Sequence, residues 1–366
     1  MSLRKIISGP AFRAWFPLLV MLLVAGCSSE KYPQTTLDPK TDFTVLVDDI
    51  LMTTVKWAVV VFVLVEGALV FAIFKFRGKP TDPEPTQTHG NTTVEIVWTI
   101  IPAVILALIA VPTIRGIFVS AETPADALKV EVIGHQWWWE FRYPDLKVVT
   151  ANELHVPSGR KVVLYMTTAD VLHSFWSPQL ASKRDVFPRR HTSLWFTAPD
   201  TGSYIGQCAE FCGIQHARMG FVIQVNSPED FDSWVAREQV GSPLINRGQV
   251  AVDSTAPADS AALAARAGSD SLMTRGRAVF AAAGCIGCHA MVGTPMAGQL
   301  GVLGPNLSHV GSRTTLAGAM MPNTDENLAR WLRDPDAVKP GTLMKLPRKL
   351  TEDEVQTLVA YLRAHK

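Results

Sequence analysis

The sequence has almost no excess charge of either sign. Its 34 Lys and Arg residues nearly balance 33 Asp and Glu residues, which leaves a formal net charge of +1 at pH 7. A chain that binds nucleic acid usually carries a strongly basic face, so this balance argues against a nucleic acid partner. With 366 residues, the chain is long enough for two or three domains.

Cysteine is scarce as well, and its five positions fall in three places. Cys27 lies near the N-terminus, Cys208 and Cys212 form a close pair, and Cys285 and Cys288 form a second pair. Each place belongs to a motif that employs its thiols, so none is left for a structural disulfide. The chain can still work outside the cytoplasm, because a metal or a covalent cofactor would protect both pairs.

Apolar residues, by contrast, make up 48% of the sequence and include two long runs. Trp57–Phe74 contains a single charged residue, Glu66, and Ile96–Ile114 contains none. A hydrocarbon core about 30 Å thick requires about 20 apolar residues in a helix. The two runs therefore predict transmembrane helices over residues 45–76 and 94–118.

Three basic residues, Lys75, Arg77 and Lys79, directly follow the first apolar run. Because Lys and Arg concentrate in short cytoplasmic loops, the loop over residues 77–93 is predicted to be cytoplasmic. Two membrane spans then return the long C-terminal part of the chain to the outer face of the membrane.

The first residues have the order of a secretory signal. Three basic residues precede the apolar run Phe16–Gly26, which ends in Leu23-Val-Ala-Gly-Cys27, a string typical of a bacterial lipobox. We predict a signal peptide over residues 1–27, a lipidated Cys27 outside the bacterial cytoplasmic membrane, and an N-terminal segment over residues 28–44. An uncleaved signal anchor or an ordinary cleavage site is the alternative.

Residues 122–238 are predicted to form an all-β domain. Stretches such as Lys161–Met166 and Ser193–Phe196 are rich in β-favouring residues, and Pro and Gly separate them. About a hundred residues in short strands suit a Greek-key sandwich or barrel. Functional residues would then lie on the loops at one end of a rigid scaffold.

Potential metal ligands are concentrated between Cys208 and Met219. This stretch contains two thiols, the imidazole of His216 and a thioether, and His173 supplies a second imidazole upstream. Soft sulfur ligands with imidazole select copper or zinc, and zinc sites more often use a Cys-x2-Cys spacing and rarely use Met. The pattern favours copper, with a disulfide or a pair of inert core thiols at Cys208 and Cys212 as the alternative.

A second cofactor motif, Cys285-Ile-Gly-Cys288-His289, has the Cys-x-x-Cys-His spacing of covalent haem c attachment. Two thioethers would anchor the porphyrin, and His289 would meet one face of the iron. A redox or zinc-binding Cys-x-x-Cys motif is the competing interpretation. Apolar spacing over Leu272–Ala283 and Glu352–Leu362 predicts two flanking helices, which favours the haem.

Between the two candidate sites, residues 239–270 are rich in Ala, Ser, Gly, Asp and Pro and contain few large apolar residues. Such a composition cannot bury much surface, so it predicts a flexible linker. The haem domain is then expected over residues 271–366.

Together these motifs resemble subunit II of cytochrome c oxidases of the CuA type, with a class I cytochrome c domain fused at the C-terminus. The resemblance implies a multi-domain fold with a two-helix transmembrane hairpin, an all-β cupredoxin-like Greek-key domain and an all-α cytochrome c domain. In this family two cysteine thiolates bridge two copper ions. The matching residues here are Cys208 and Cys212. The other copper ligands implied are His173, His216, Met219 and, through its main-chain carbonyl, Glu210.

The resemblance also implies roles for residues elsewhere. Trp137 follows Gly-His-Gln and matches the tryptophan that receives electrons from cytochrome c, while Glu95 matches a glutamate near the mouth of a proton-uptake path. A solvated carboxylate at a helix N-terminus is the alternative for Glu95. The Glu210 side chain would help bind a magnesium ion shared with subunit I. Arg189 stands where the family usually has glycine, which puts a tight turn there in doubt.

The sixth ligand of the haem iron must come from one of five methionines, which are Met291, Met296, Met320, Met321 and Met344. Met344 follows a Pro-Gly turn and lies shortly before the last helix, as in class I cytochromes c, and is the predicted ligand. A core methionine is the alternative for Met344. Pro305 would orient His289 through its carbonyl group.

The function implied by the resemblance is electron transfer. Electrons from an external cytochrome c or another periplasmic donor would reach haem c, then the copper centre, then haem–copper oxidase subunit I, where oxygen is reduced to water and protons are pumped. Subunit III is a further expected partner. Quinol oxidase subunits share this architecture but lack the copper ligands, so the presence of those ligands here argues against a quinol oxidase. A CuA subunit of a nitric oxide reductase and a membrane-anchored copper-binding or copper-delivery protein remain as alternatives.

Overall fold

The computed structural model of the protein describes residues 32, 34–78, 81, 83–84, 86–87, 89–240, 260–291 and 303–366. Several of the sequence-based predictions concern residues outside these ranges. They are the signal peptide, the lipidated Cys27, the basic residue Lys79, the candidate ligand Met296 and most of the predicted linker, 241–259.

Two long apolar helices form a hairpin. Helix α1 spans Asp42–Lys75 and α2 spans Thr92–Ala121, and both are long and apolar enough to cross a membrane. Both begin before the predicted bounds, because the side chains of Thr41 and Asn91 accept hydrogen bonds from backbone N–H groups of the first turn. At 1.5 Å per residue α1 is roughly 50 Å long, which exceeds the thickness of a bilayer core.

The start of α1 is attached to the β domain. Thr41 Oγ1 donates a hydrogen bond to the Leu180 carbonyl (2.8 Å), and Asp42 Oδ1 accepts one from the Thr197 backbone N–H (2.7 Å). Beside these contacts the Phe43 ring packs into the buried core of the β domain. The membrane hairpin is therefore joined to the β domain by side-chain contacts as well as by the connecting chain.

Ten strands occupy residues 128–226, which confirms the predicted β domain. They form two five-stranded sheets with the orders β3-β2-β1-β5-β8 and β4-β10-β9-β6-β7. The pairs β1 with β5 and β4 with β10 are parallel, whereas the other pairs are antiparallel. The strands are β1 Leu128–His135, β2 Trp138–Tyr143, β3 Val148–Ala151, β4 Glu153–Pro157, β5 Lys161–Thr168, β6 His173–Ser177, β7 Ala181–Val186, β8 Thr192–Thr197, β9 Gly202–Cys208 and β10 Phe221–Asn226.

Aromatic side chains fill the space between the two sheets. Phe175 from β6 and Phe221 from β10 stack with ring centroids 4.2 Å apart, and Trp139 and Phe141 from β2 meet them edge-on. All four side chains are fully buried. Edge-to-face and offset arrangements of this kind add to the stability gained from burial, so the sandwich has a rigid centre.

The C-terminal domain is mainly helical, as predicted. Helix α3 closes the β domain, and the remaining helices and a two-stranded hairpin form the haem domain. The elements are α3 Pro228–Gln239, α4 Ser260–Ala282, β11 Thr315–Leu316, β12 Met321–Pro322, α5 Asp325–Arg333, α6 Pro335–Val338 and α7 Glu352–Ala364. Helices α4 and α7 approach closely, since a Cβ atom at Gly276 would lie only 2.4 Å from the Tyr361 side chain.

The flexible linker predicted over residues 239–270 is partly wrong. Gln239 ends α3, and α4 already begins at Ser260. The stretch Ala261-Ala-Leu-Ala-Ala265 explains the difference, because alanine and leucine have the highest helix propensities even where little apolar surface is available for burial. Composition alone therefore misjudged a segment that can extend the helix following it.

Candidate copper and haem sites

Two adjacent strands present the first two candidate copper ligands. β6 begins at His173 and β9 ends at Cys208, and the two strands pair through Phe175 and Cys208. The His173 Nδ1 atom lies 3.8 Å from Cys208 Sγ, and Cys212 Sγ lies 3.8 Å from the same sulfur. All three side chains are buried, so the sheet holds this part of the site in place.

The loop after β9 supplies the remaining candidate ligands. A short 3-10 turn over His216–Arg218 brings His216 Nδ1 to 3.7 Å from Cys212 Sγ. Met219 Sδ lies 3.3 Å from the Cys212 sulfur, and the Glu210 carbonyl oxygen lies 3.3 Å from Cys208 Sγ. The structure thus brings together all six residues that the sequence suggested as copper ligands.

The two sulfur atoms are free thiols at 3.8 Å, well beyond the roughly 2.05 Å of a disulfide. The hydrogen bond between the two sulfur groups lowers the pKa of Cys208 despite the opposing effect of burial, and the same bond raises the pKa of Cys212. The pair therefore holds one thiolate readily, and binding of a cation would release the second proton. Two sulfurs, two imidazoles and a thioether form a donor set that suits copper.

Asp170 orients the first imidazole. Its Oδ1 atom lies 2.8 Å from His173 Nε2, which leaves Nδ1 directed at the Cys208 sulfur. Burial opposes the charged form of His173, but the bonds to Asp170 and Cys208 outweigh burial and raise its pKa. Sequence reasoning gave Asp170 no role, although a carboxylate three residues before a candidate ligand is a usable signal for such a contact.

Indole groups surround the ligand loop. Trp137 Nε1 donates to the Cys212 carbonyl (3.1 Å), which also accepts a hydrogen bond from Gln136 Nε2 (2.8 Å). Trp139 Nε1 donates to the Met219 carbonyl (3.2 Å) from within the core. Trp137 is only half-buried, so it lies at the edge of the β domain, whereas Trp139 lies in the core.

The candidate haem residues surround a cavity of about 450 Å³. Cys285, Cys288, His289 and Met344 all line it, and His289 Nδ1 lies 2.8 Å from the Pro305 carbonyl oxygen, as the sequence suggested. Burial lowers the pKa of His289, so its ring is neutral and its Nε2 atom is available to a metal. A volume of this size is typical of a cofactor pocket.

The described methionines differ in their access to this cavity. Met291 and Met321 are buried in the core of the haem domain, and Met320 lies beside the copper-ligand loop. Among the described methionines, Met344 alone lines the haem cavity. Its position beside the cavity favours Met344 over Met291, Met320 and Met321 as the candidate iron ligand.

The haem cavity is not closed by the haem domain alone. Gln136, Trp137, Trp138 and Asn152 of the β domain also line it. Trp137 therefore borders the cavity, and its indole N–H also donates to the Cys212 carbonyl. The sequence could not predict that both domains line this cavity, because the lining residues of the β domain and those of the haem domain are far apart in the chain.

Two further predicted positions lie outside these sites. Glu95 occupies the first turn of α2, with its side chain folded toward Gly90, and it has no contact with the copper ligands. Arg189 has a backbone φ of 58°. The turn that glycine would favour therefore forms with arginine in the left-handed conformation.

Comparison with protein-family models finds three matches along the chain. Residues 34–115 match the cytochrome c oxidase subunit II transmembrane domain, residues 146–226 match the subunit II periplasmic domain, and residues 273–366 match cytochrome c. Two apolar helices, a cupredoxin-like domain that carries a copper-type donor cluster, and a cytochrome c domain define a membrane-anchored protein that binds copper and haem.

Curated relatives match the chain over nearly their whole length. The chain is 35% identical over 360 residues to cytochrome c oxidase subunit 2 of Alkalihalophilus pseudofirmus, with 94% of each chain covered. It is 31% identical over 373 residues to the Bacillus subtilis protein of the same name, covering 95% of this chain and 96% of the relative. The chain belongs to the cytochrome c oxidase subunit II family, and it is the subunit II component of an oxidase complex with a C-terminal cytochrome c domain.

Proposed function

We propose that this chain receives electrons at a covalently bound haem c and delivers them, through Trp137 and a binuclear copper centre, to haem–copper oxidase subunit I. Oxygen would be reduced to water there, with coupled proton pumping. The observation that carries the proposal is the position of Trp137, which lines the cavity that holds His289 and donates a hydrogen bond to the Cys212 carbonyl. One side chain thus contacts both candidate redox sites.

Two copper ions would be held by the six converging groups. Cys208 and Cys212 would bridge the ions, and His173, His216, Met219 and the Glu210 carbonyl would complete their coordination. When bound, such a pair accepts and releases single electrons with little change in geometry. Asp170 supports this role, because its bond to Nε2 holds the His173 ring with Nδ1 directed at the Cys208 sulfur.

A haem would be attached through thioether bonds at Cys285 and Cys288, with His289 and Met344 as axial ligands. Met/His ligation raises the reduction potential of a haem, which suits a donor to copper. Arg313 also lines the cavity, and its Nε atom is buried without a hydrogen-bond partner. A buried cation at this wall matches the negative charge of haem propionates, so the residues present fit the group.

The membrane part of the chain supports contact with other subunits. The α1–α2 hairpin exposes apolar side chains along most of its length, and these would meet lipid together with subunits I and III. Lys75 and Arg77 would face the cytoplasm, which leaves the copper and haem domains on the periplasmic face of the bacterial inner membrane. Lipidation at Cys27 would add a second anchor on that face.

Two residues would serve the partner subunits. Glu95 would lie at the cytoplasmic end of α2, near the mouth of a proton-uptake path into subunit I. The half-buried Glu210 would direct its side chain toward a magnesium ion shared with that subunit. An external cytochrome c or another periplasmic protein would be the electron donor.

The test is metal and optical analysis of the purified complex combined with a pair of matched variants. Two coppers and one haem c per chain are expected, together with a low-spin Met/His haem spectrum. Met344→Ala should abolish that spectrum, whereas Met320→Ala, which changes a methionine outside the haem cavity, should preserve it. One labile copper without haem would contradict the proposal and support a copper-binding protein instead.

A further inference from the structure

A single carboxylate of the copper domain accepts several hydrogen bonds from the haem domain. Glu153 lies at the start of β4 and is 2% exposed. Its Oε1 atom accepts hydrogen bonds from the backbone N–H groups of Thr314 and Thr315, at 2.7 and 2.8 Å. The two threonine hydroxyls donate to the same oxygen, at 2.8 and 3.0 Å. Hydrogen bonds to a charged acceptor are about twice as strong as neutral ones.

A second bridge lies next to the haem cavity. The buried Lys339 of the haem domain donates from Nζ to the Trp137 carbonyl of the copper domain (3.1 Å) and to the Ala317 carbonyl of its own domain (3.0 Å). Gln215 lies in the copper-ligand loop, directly before His216, and donates a hydrogen bond to the Pro340 carbonyl. The haem domain therefore contacts both the tryptophan and the loop that holds the metal donors.

The hairpin of the haem domain reaches the same loop from another side. The Gly220 backbone N–H, directly after Met219, donates to the Gly318 carbonyl (2.9 Å). A Cβ atom at Gly220 would lie 3.2 Å from that carbonyl oxygen, so the two backbones are in close contact. Thr314 and Thr315 lie at the base of this hairpin, which links the Glu153 contact directly to the copper-ligand loop.

Charge is also complementary across this junction. Arg313 directly precedes the two threonines. Burial lowers its pKa, and the carboxylates of Glu238 and Glu153 act in the opposite direction. Both carboxylates belong to the copper domain, whereas Arg313 belongs to the haem domain. Buried polar and charged contacts of this kind define one orientation, because other orientations would leave these groups without partners.

We propose that Glu153 is a positioning residue that holds the haem domain in a single orientation on the copper domain, with Trp137 facing the chain's own haem and closed to an external donor. This inference rests on the proposed function. In that orientation one electron leaves the ferrous haem, which becomes ferric, and reduces the copper pair by one electron. An external donor would then have to deliver its electron to the haem.

The first test measures attachment without any redox reaction. A specific protease site is introduced within residues 241–259 of the holoprotein in its complex, and retention of the severed haem domain is followed by its haem absorbance. The domain should remain bound in the unsubstituted protein. It should dissociate about 10-fold more readily in Glu153→Gln, in line with the loss of hydrogen bonds to a charged acceptor. Glu131→Gln, at an exposed carboxylate on β1, is the matched control and should behave like the unsubstituted protein.

The partner side of the contact provides the second variant. Replacing Thr314 and Thr315 with valine removes both hydroxyl donors and retains the backbone N–H groups. Combined with Glu153→Gln, this replacement should weaken attachment by less than the product of the separate effects, because both changes remove the same bonds. Independent effects, or a severed domain that leaves the unsubstituted protein as readily as the Glu153 variant, would overturn the proposed role.

The order of reduction tests the closed position of Trp137. Reduced soluble cytochrome c is mixed with the oxidised complex while haem and copper absorbance are followed separately. In the unsubstituted protein the bound haem should be reduced before copper. In Glu153→Gln, soluble cytochrome c should reduce copper early, and electron transfer from haem to copper should be about 10-fold slower. If the unsubstituted protein transfers no electron from haem to copper, the proposed function fails. If it does, and the variant matches it in rate and order, only the role of Glu153 fails.

Discussion

The copper and haem sites are built in opposite ways. In the copper domain, paired strands and one loop place neighbouring donor atoms 3.3 to 3.8 Å apart. In the haem domain, His289 and Met344 line a cavity of about 450 Å³. Packed protein groups define the copper site, whereas we expect the cofactor to complete the haem site, because the candidate haem ligands border a cavity.

This difference predicts the largest effect for loss of the covalent haem. Replacing both Cys285 and Cys288 with serine should leave the cavity empty, so that the haem domain loses most of its stability. The copper domain has its own core and should keep its copper absorbance. Limited proteolysis measures this loss. Fragments from residues 303–366 should appear at least ten times faster than in the unsubstituted protein, which corresponds to a loss of about 1.4 kcal/mol or more in local stability.

A stable haem domain in this double serine variant would show that its helices form without the porphyrin. The comparison between a preformed and a cofactor-completed site would then be wrong. Replacing Met320, which lies outside the haem cavity, with alanine controls for a general loss of stability in this domain.

The second prediction tests the preformed character of the copper site. Asp170→Asn keeps the shape of the side chain but removes the charge that fixes the His173 ring. Copper affinity should fall about 10- to 100-fold, as is typical when a group behind a metal-bound histidine is changed. Competition with a copper chelator measures the change, and the haem spectrum should remain unaltered.

Asp145→Asn, at an exposed position of the copper domain, is the matched control. If Asp170→Asn and Asp145→Asn release copper at equal chelator concentrations, the strands alone hold His173 in position. The contribution of its carboxylate partner would then have to be abandoned.

The third prediction concerns Glu238, at the end of α3 beside the haem domain. Burial raises its pKa to about 7 from an ordinary value of 4.5, with Arg313 acting in the opposite direction. A raised carboxyl pKa means that the stability contributed by the protonated form is fully present below pH 4.5 and is lost as the pH rises through 7. At pH 8, Glu238→Gln should therefore stabilise the copper domain by about 3 kcal/mol.

Thermal unfolding followed by copper absorbance at pH 5 and pH 8 measures this effect. The gain from Glu238→Gln should be several times smaller at pH 5, because the native carboxyl is then largely protonated. A gain independent of pH would mean that folding does not raise the pKa of Glu238. Glu229→Gln, at the exposed start of the same helix, should produce no such pH dependence.

Much of this molecule could be predicted from residue type and spacing. The apolar runs predicted α1 and α2, and the short motifs around Cys208 and Cys285, with the family resemblance that they carry, indicated the residues that converge in each candidate site. Local spacing could not predict the contact of Glu153 with Thr314 and Thr315, which joins residues 161 and 162 positions apart. Nor could it predict that Trp137 would line the haem cavity, because that requires the relative placement of two domains.

The smallest expected effect concerns the backbone of the copper domain. Arg189 adopts a φ of 58°, in the left-handed region where a Cβ atom is unfavourable and glycine is not. Arg189→Gly should stabilise the copper domain by up to about 1 kcal/mol, since relief of this strain outweighs the greater entropy of glycine in the unfolded chain. Denaturation of copper-loaded protein measures the change. A loss of stability would mean that contacts of the arginine side chain exceed the backbone cost, and the copper scaffold would then depend on surface contacts as well as on its sheets.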